Sequence, residues 1–332
     1  MDTKVIRFGV IGTNWITDAF LKAAQALDSF QLTAVYSRTE EKGREFAQKH
    51  GAPLVFTDVA ALAQSEEVDA VYIASPNSFH ARHAIALMNQ GKHVLCEKPL
   101  ASNAVEVKAM IEAAQRNRVV LMEAMKSTLL PGFQHIQENL SKLGTIRRYV
   151  GSYCQYSSRY DAYKEGTIMN AFLPAFSNGA LMDLGIYCLY PLIVLFGRPI
   201  KVKASGMMLE SGVDGQGSVI LEYENMQAVV MYSKINDSFV PSEIQGEKGT
   251  MIIDRIDVPE RISIAYRQKE NEDISAPLLE EAMYYETKEF VRVIEEGWLQ
   301  SPVNSHEHSL IVMEVMDAIR ADLGVVFPAD NA

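Results

Sequence analysis

Two stretches near the N-terminus have the residue types and spacing to hold a dinucleotide. The first, Gly9-Val-Ile-Gly12-Thr13-Asn14-Trp15-Ile16-Thr17, follows an apolar run and opens a helical pattern. A strand-turn-helix of this kind brings a pyrophosphate against backbone amides at a helix N-terminus, which requires close backbone approach. Gly12 supplies the tight turn, and Gly9, Thr13, Asn14, Trp15 and Ile16 belong to the same approach. Asn14 and Thr17 stand where the G-x-G-x-x-G spacing has its second and third glycines. Asn tolerates positive φ best among non-glycine residues, and Thr17 is placed to pack or to hydrogen-bond near a phosphate. A plain strand-to-helix turn is the alternative for this segment.

The second stretch, Ala34-Val-Tyr36-Ser37-Arg38-Thr39, ends the next strand pattern, where an adenosine ribose is expected. NAD enzymes place an Asp or Glu there to accept the 2′-hydroxyl, and none stands at 36–38. A hydroxyl followed by a guanidinium suits a 2′-phosphate, because Arg donates charge-assisted, bidentate hydrogen bonds. NADP(H) is therefore expected ahead of NAD(H). Ser37 also fits as a helix cap paired with Glu40 in an S-x-x-E box, with Arg38 then a solvated charge.

The elements needed to position these residues can be read along the chain. VIRFGVI, FQLTAVY, PLVF, DAVYIAS, HVLCEKP and VVLMEAM are strand-like and apolar, as burial on both faces requires. Helical patterns separate most of them, running to about Leu27, to Gly51, from Ser78 to Gln90 and from Ala104 to Arg116. This is the βαβ rhythm of a doubly wound parallel sheet, a Rossmann domain over 1–124. From about 145 the segments lengthen and alternate: RRYVGSYCQYS, IKVKASGMML, GQGSVILEYE, MQAVVMYSKI, SEIQGEKGTMIID and RISIAYR. They predict a large, mostly antiparallel sheet in a C-terminal α+β domain over 125–332, closed by the helices MYYETKEFVRVIEEG and HEHSLIVMEVMDAIRADLG.

Bulk properties exclude other classes. With 332 residues, 48% hydrophobic and 22% charged, the chain suits a two-domain globular protein. A net charge of −11 and the lack of any basic run argue against nucleic acid. The first apolar run is cut by Gly9, Gly12 and Asn14, so neither a signal peptide nor a membrane span is expected, and a cytoplasmic location follows. Cys96, Cys154 and Cys188 are odd in number and far apart, which reads as free thiols rather than a disulfide framework. His306 and His308 form an H-x-H with no third ligand at matching spacing, so no metal site is expected.

Three further segments carry a resemblance to a known family. They are Tyr72-Ile-Ala-Ser75-Pro76-Asn77-Ser-Phe-His80, then Cys96-Glu97-Lys98-Pro99, then Gly179-Ala-Leu-Met-Asp183-Leu-Gly185-Ile-Tyr187-Cys. In order and spacing they resemble the glucose-fructose oxidoreductase, inositol dehydrogenase and MocA family over nearly the whole chain. The resemblance implies that Lys98 lies beside the nicotinamide and the reacting oxygen, a direction that a lysine before proline would help to fix. It implies that Ser75, Pro76 and Asn77 line the nicotinamide side, although Asn77 serves equally as the N-cap of the next helix. His80 stands in the first turn of that helix, where it reads either as a cofactor neighbour or as a structural histidine. Glu97 is open between pairing with Lys98 and bonding the cofactor ribose.

Many members of the family use a His four residues after the Asp of the third segment as acid and base. Here that spacing leads from Asp183 to Tyr187. The run D-L-G-I-Y-C looks like the dimeric trans-dihydrodiol and D-xylose dehydrogenases, which use NADP with a Lys and Tyr pair. Phenol has a pKa near 10, and an ammonium within about 4–6 Å lowers it by about one to three units, so Lys98 would make Tyr187 a usable proton acceptor. Asp183 would orient the substrate or the pair. Tyr156, Arg159, Tyr160 and Tyr163 are expected on the substrate side. The resemblance thus implies an NADP(H)-dependent dehydrogenase acting on a sugar, cyclitol or dihydrodiol, assembled as a homodimer or larger. A dinucleotide-sensing regulator without turnover and a nicotinamide-dependent glycosidase are the competing readings.

Overall fold

The computed structural model describes residues 5–331. The chain forms two compact units, residues 1–125 with 280–309 and residues 126–279 with 310–332.

The first unit alternates strand and helix. It contains β1 (Ile6–Ile11), α1 (Trp15–Ala24), β2 (Phe30–Tyr36), α2 (Glu40–His50), β3 (Leu54–Phe56), α3 (Val59–Gln64) and β4 (Ala70–Ile73). A 3-10 turn at Asn77–Phe79 leads into α4 (His80–Met88), followed by β5 (His93–Glu97), α5 (Ala104–Asn117) and β6 (Leu121–Ala124). The six strands pair in parallel in the order β3-β2-β1-β4-β5-β6, with the reversal beside β1 that places a ligand crevice at the carboxyl ends of β1 and β4. Their side chains are buried from Ile6 and Phe8 through Val71, Tyr72, Leu95 and Met122, so apolar strands without alternation mark this sheet.

In the second unit α6 (Pro131–Asn139), β7 (Ile146–Cys154) and α7 (Tyr160–Lys164) precede a π-helical turn, Leu181–Gly185, that runs into α8 (Ile186–Phe196). Then come β8 (Lys201–Met208), β9 (Asp214–Glu222), β10 (Gln227–Ser233), β11 (Ser242–Gly246), β12 (Gly249–Ile253), β13 (Ile262–Tyr266) and β14 (Glu272–Asp273). The eight strands are ordered β14-β13-β12-β11-β7-β10-β9-β8 and are antiparallel except for the β7–β10 pair. The segment Pro174–Phe196 is long and apolar enough to cross a membrane, but 78% of its most apolar window is buried in the protein interior. The Tyr149 hydroxyl of β7 donates to the Cys188 carbonyl of α8 at 2.9 Å, fixing that helix to the sheet.

Two helices follow, α9 (Ala282–Glu295) and α10 (His306–Leu323). Residues 280–309 return to the first unit, so the chain passes between the two units three times. Phe290 of α9 packs against Phe8 at a ring separation of 6.0 Å, in a cluster with Phe20 and Phe30. Asn304 donates to the carbonyls of Glu123 and Met125, and His306 Nε2 lies 3.0 Å from the Leu121 carbonyl, which ties the returning segment to β6.

Candidate active site

At the end of β1, Gly12 has φ +111, and a Cβ there would stand 2.6 Å from the Ala74 carbonyl oxygen. Only glycine fits this turn. Asn14, in extended backbone at φ −116, is the N-cap of α1. Its Oδ1 accepts from the amides of Ile16 and Thr17 at 3.0 and 3.4 Å, while Nδ2 donates to the Ala74 carbonyl at 3.1 Å. Its place in the motif therefore rests on amide chemistry, not on tolerance of positive φ. Thr17 is fully buried and its Oγ1 has no hydrogen-bond partner among the described residues. Trp15 is 68% exposed at the helix start. A tight glycine turn opening a helix N-terminus beside the end of β4 fits a dinucleotide pyrophosphate.

At the end of β2, Ser37 is buried and its amide donates to the Phe56 carbonyl. The N-cap of α2 is Thr39, which makes no side-chain cap, so the S-x-x-E box does not form. Glu40 instead pairs with Arg44. Arg38 is exposed, and no ion pair among the described residues engages it. That arrangement fits a guanidinium reserved for a 2′-phosphate.

The loops after β4 and β5 are held together by His80. Its Nε2 lies 2.8 Å from the Ser75 carbonyl and its Nδ1 2.9 Å from the Pro99 carbonyl. Burial lowers its pKa, and the Pro99 and Ser75 carbonyls oppose that shift. His80 is fully buried beneath the loops that carry Ser75, Pro76, Asn77 and Lys98. Asn77 opens the 3-10 turn behind Pro76 and does not cap α4, whose N-cap is Phe79. Lys98 is half-buried, joined to Pro99 by a cis peptide.

Glu97 takes a further partner, Tyr72. It accepts from the Tyr72 hydroxyl at 2.5 Å, and the Tyr72 ring stacks on Phe20 at 3.8 Å. Behind it, Glu123 of β6 accepts from the Leu100 amide at 2.9 Å and from Ser309. Burial, with Glu97 nearby, pushes the Glu123 carboxyl up to about 7. A glutamate inside the apolar run VVLMEAM is a signal that could have identified this residue from sequence.

In the second unit, Gly179 has φ +143, and a Cβ there would meet Asp214 Oδ1 at 2.2 Å. Asp214 is buried, accepts from the Leu181 amide at 2.7 Å, and is pushed up to about 6 by that burial. It anchors the start of the π-helical turn, a feature common at functional sites. Asp183 lies in that turn and Tyr187 in the first turn of α8, both half-buried. Tyr187 packs edge-on against Tyr153 at 5.5 Å, whose hydroxyl lies 3.3 Å from Asp257 Oδ2, and Asp257 in turn pairs with Arg255.

Asp183 forms an ion pair with Lys234, at 2.9 Å from Oδ2, a residue that the motifs did not point to. Of the aromatic residues expected on the substrate side, Tyr160 and Tyr163 pack on Phe172, and Tyr156 donates to Asp161. Arg159 is exposed.

Comparison with known proteins bears on both units. Residues 6–125 match the model for the oxidoreductase family with an NAD-binding Rossmann fold, and residues 134–252 match the GFO/IDH/MocA C-terminal domain. The chain is 55% identical over 328 residues to scyllo-inositol 2-dehydrogenase (NADP(+)) of Bacillus subtilis, covering 99% of this chain and 100% of that one. It is 32% identical over 343 residues to trans-1,2-dihydrobenzene-1,2-diol dehydrogenase of Danio rerio, covering 98% and 99%. Among solved structures it is similar in fold to levoglucosan dehydrogenase bound to NADH and levoglucosan, with TM-score 0.85, 20% identity and coverage of 97% and 98%. A 3-ketoreductase from Actinomadura kijaniata in complex with NADP gives TM-score 0.83 at 23% identity, covering 96% and 98%.

Proposed function

The chain belongs to the GFO/IDH/MocA oxidoreductase family, and from that premise we propose that it is a cytoplasmic NADP(H)-dependent dehydrogenase acting on a ring CH–OH of a cyclitol, with scyllo-inositol the first candidate. The observation that carries the reading is full-length similarity to an NADP-dependent scyllo-inositol dehydrogenase in a chain that has both Lys98 and Tyr187.

When bound, the nicotinamide accepts or returns the hydride. The chain's own residues do the rest. Ser37 and Arg38 hold the 2′-phosphate, and the Gly12 turn with Thr13, Asn14, Trp15 and Ile16 receives the pyrophosphate. His80 fixes Ser75, Pro76, Asn77 and Lys98 relative to one another through two carbonyls. In oxidation Tyr187 Oη takes the hydroxyl proton, and in reduction it gives that proton back. Lys98 supplies the positive charge that makes the phenol a usable base, and Asp183 orients the substrate by accepting from a neighbouring hydroxyl.

The test is nicotinamide absorbance with NADP+ and NAD+ across inositols, aldoses and dihydrodiols. NADP+ reduction with scyllo-inositol, and weaker reduction with NAD+, is the expected result. Cofactor binding without net reduction by any of them would favour a regulator or a glycosidase instead.

A further inference from the structure

Lys234 follows β10 directly, and its backbone is pinned on both sides. Its amide donates to the Gly215 carbonyl at 2.9 Å, and its carbonyl accepts from the Ser157 amide at 2.9 Å. The next turn is closed by Ser233 Oγ, which accepts from the amides of Ile235 and Asn236. The side chain that leaves this rigid corner is only 3% exposed. Its ammonium meets Asp183 Oδ2 at 2.9 Å and the Ala171 carbonyl at 3.3 Å, and stands 5.0 Å from the centre of the Phe172 ring.

An ammonium stripped of water is costly, and a pair that served packing alone could be replaced by apolar side chains without loss. This pair is asymmetric. The cation is buried, whereas the Asp183 side chain is 40% exposed. Lys234 therefore holds the carboxylate from the buried side while the Asp183 side chain keeps its exposed part, four residues before Tyr187 on the same helical segment. Residues four apart on a helix share a face.

We propose that Lys234 is a positioning residue for substrate recognition: it fixes Asp183 to accept from a hydroxyl next to the reacting carbon, so the enzyme selects polyols with vicinal hydroxyls over isolated alcohols. The inference rests on the dehydrogenase reading above. It adds a residue from outside the motifs and a chemical criterion for the substrate.

The experiment compares the full chain with Lys234→Met, Asp183→Asn and the double change, measuring kcat and KM for scyllo-inositol with NADP+ and the Kd of NADPH by fluorescence. A charge-assisted hydrogen bond lost from substrate binding corresponds to about a 10- to 100-fold rise in KM. Lys234→Met should show that rise with NADPH affinity unchanged, and the double change should be no worse than Asp183→Asn alone, because Lys234 acts through Asp183. Lys234→Arg, which keeps a cation, should recover most of the loss. A KM within twofold of wild type in Lys234→Met, or losses that multiply in the double change, would overturn the proposal. Should the methionine variant fail to fold, Lys234→Gln is held to the same limits. Wild-type protein that reduces NADP+ with no polyol would sink the parent reading and this inference together. Normal wild-type turnover beside an unaffected Lys234 variant sinks this inference alone.

Discussion

Tyr187 packs edge-on against Tyr153, so Tyr187→Phe keeps the ring contact and removes only the hydroxyl. If that hydroxyl carries the proton, oxidative turnover in wild type rises with pH through a single ionisation below about 10, and the phenylalanine variant loses the rise along with about 10²- to 10⁴-fold in rate. Because Lys98 and Tyr187 would act as one unit, adding Lys98→Met should cost little more than the worse single change. Full activity in Tyr187→Phe would move the proton to another carrier. Arg38 offers a second residue-scale test. Arg38→Ala should weaken NADP(H) binding by about 1.5–3 kcal/mol and leave NAD(H) nearly unchanged, read by fluorescence titration of both reduced cofactors. Equal losses would remove the 2′-phosphate assignment. Short motifs mark Lys98, Asp183 and Tyr187 in the sequence as the proposed site. Lys234, Asp214 and Asp257 were not legible, because each acts through a partner far away in sequence, as Lys234 does on Asp183 across 51 positions.

Among the elements, β6 carries a buried carboxyl whose titration should be measurable. The folded site raises Glu123 from 4.5 to about 7, so the protonated form is the one that folding favours. Its contribution is present in full below about 4.5 and is lost as pH rises through about 7, which amounts to about 3 kcal/mol. Glu123→Gln keeps an acceptor for the Leu100 amide and cannot ionise. Urea unfolding at pH 5 and pH 7.5 should therefore show wild type losing about 2 kcal/mol more than the glutamine variant over that interval. Parallel behaviour would mean that the carboxyl is ionised throughout. The parallel strands of the first unit were legible from their apolar runs. The helix α3 was not, being six residues capped by Asp58 between two strands. The parallel pairing of β7 with β10 also escaped, since alternation reports a half-buried strand but not its neighbour's direction.

For the molecule as a whole, the sheet of the second unit has one face covered by α8 and another that stays open. Along β9, Ser218, Ile220 and Glu222 are exposed in alternation, and on β8 Met207, in the same row, is exposed too. Apolar side chains on an open sheet face suit a second copy of the chain, so sedimentation equilibrium at micromolar concentration should report at least twice the 37.0 kDa chain mass. A monomer would leave that face to solvent. The sequence suggested one crossing between domains, because each half has its own periodicity and nothing in the pattern of α9 says which sheet it serves. The return of residues 280–309 to the first unit bears on biosynthesis. The ribosome releases the first six strands long before Phe290 exists to cover Phe8. Until α9 has emerged, the nascent sheet lacks the Phe290 side of its aromatic cluster, an apolar surface of the kind that makes incomplete folds prone to aggregate.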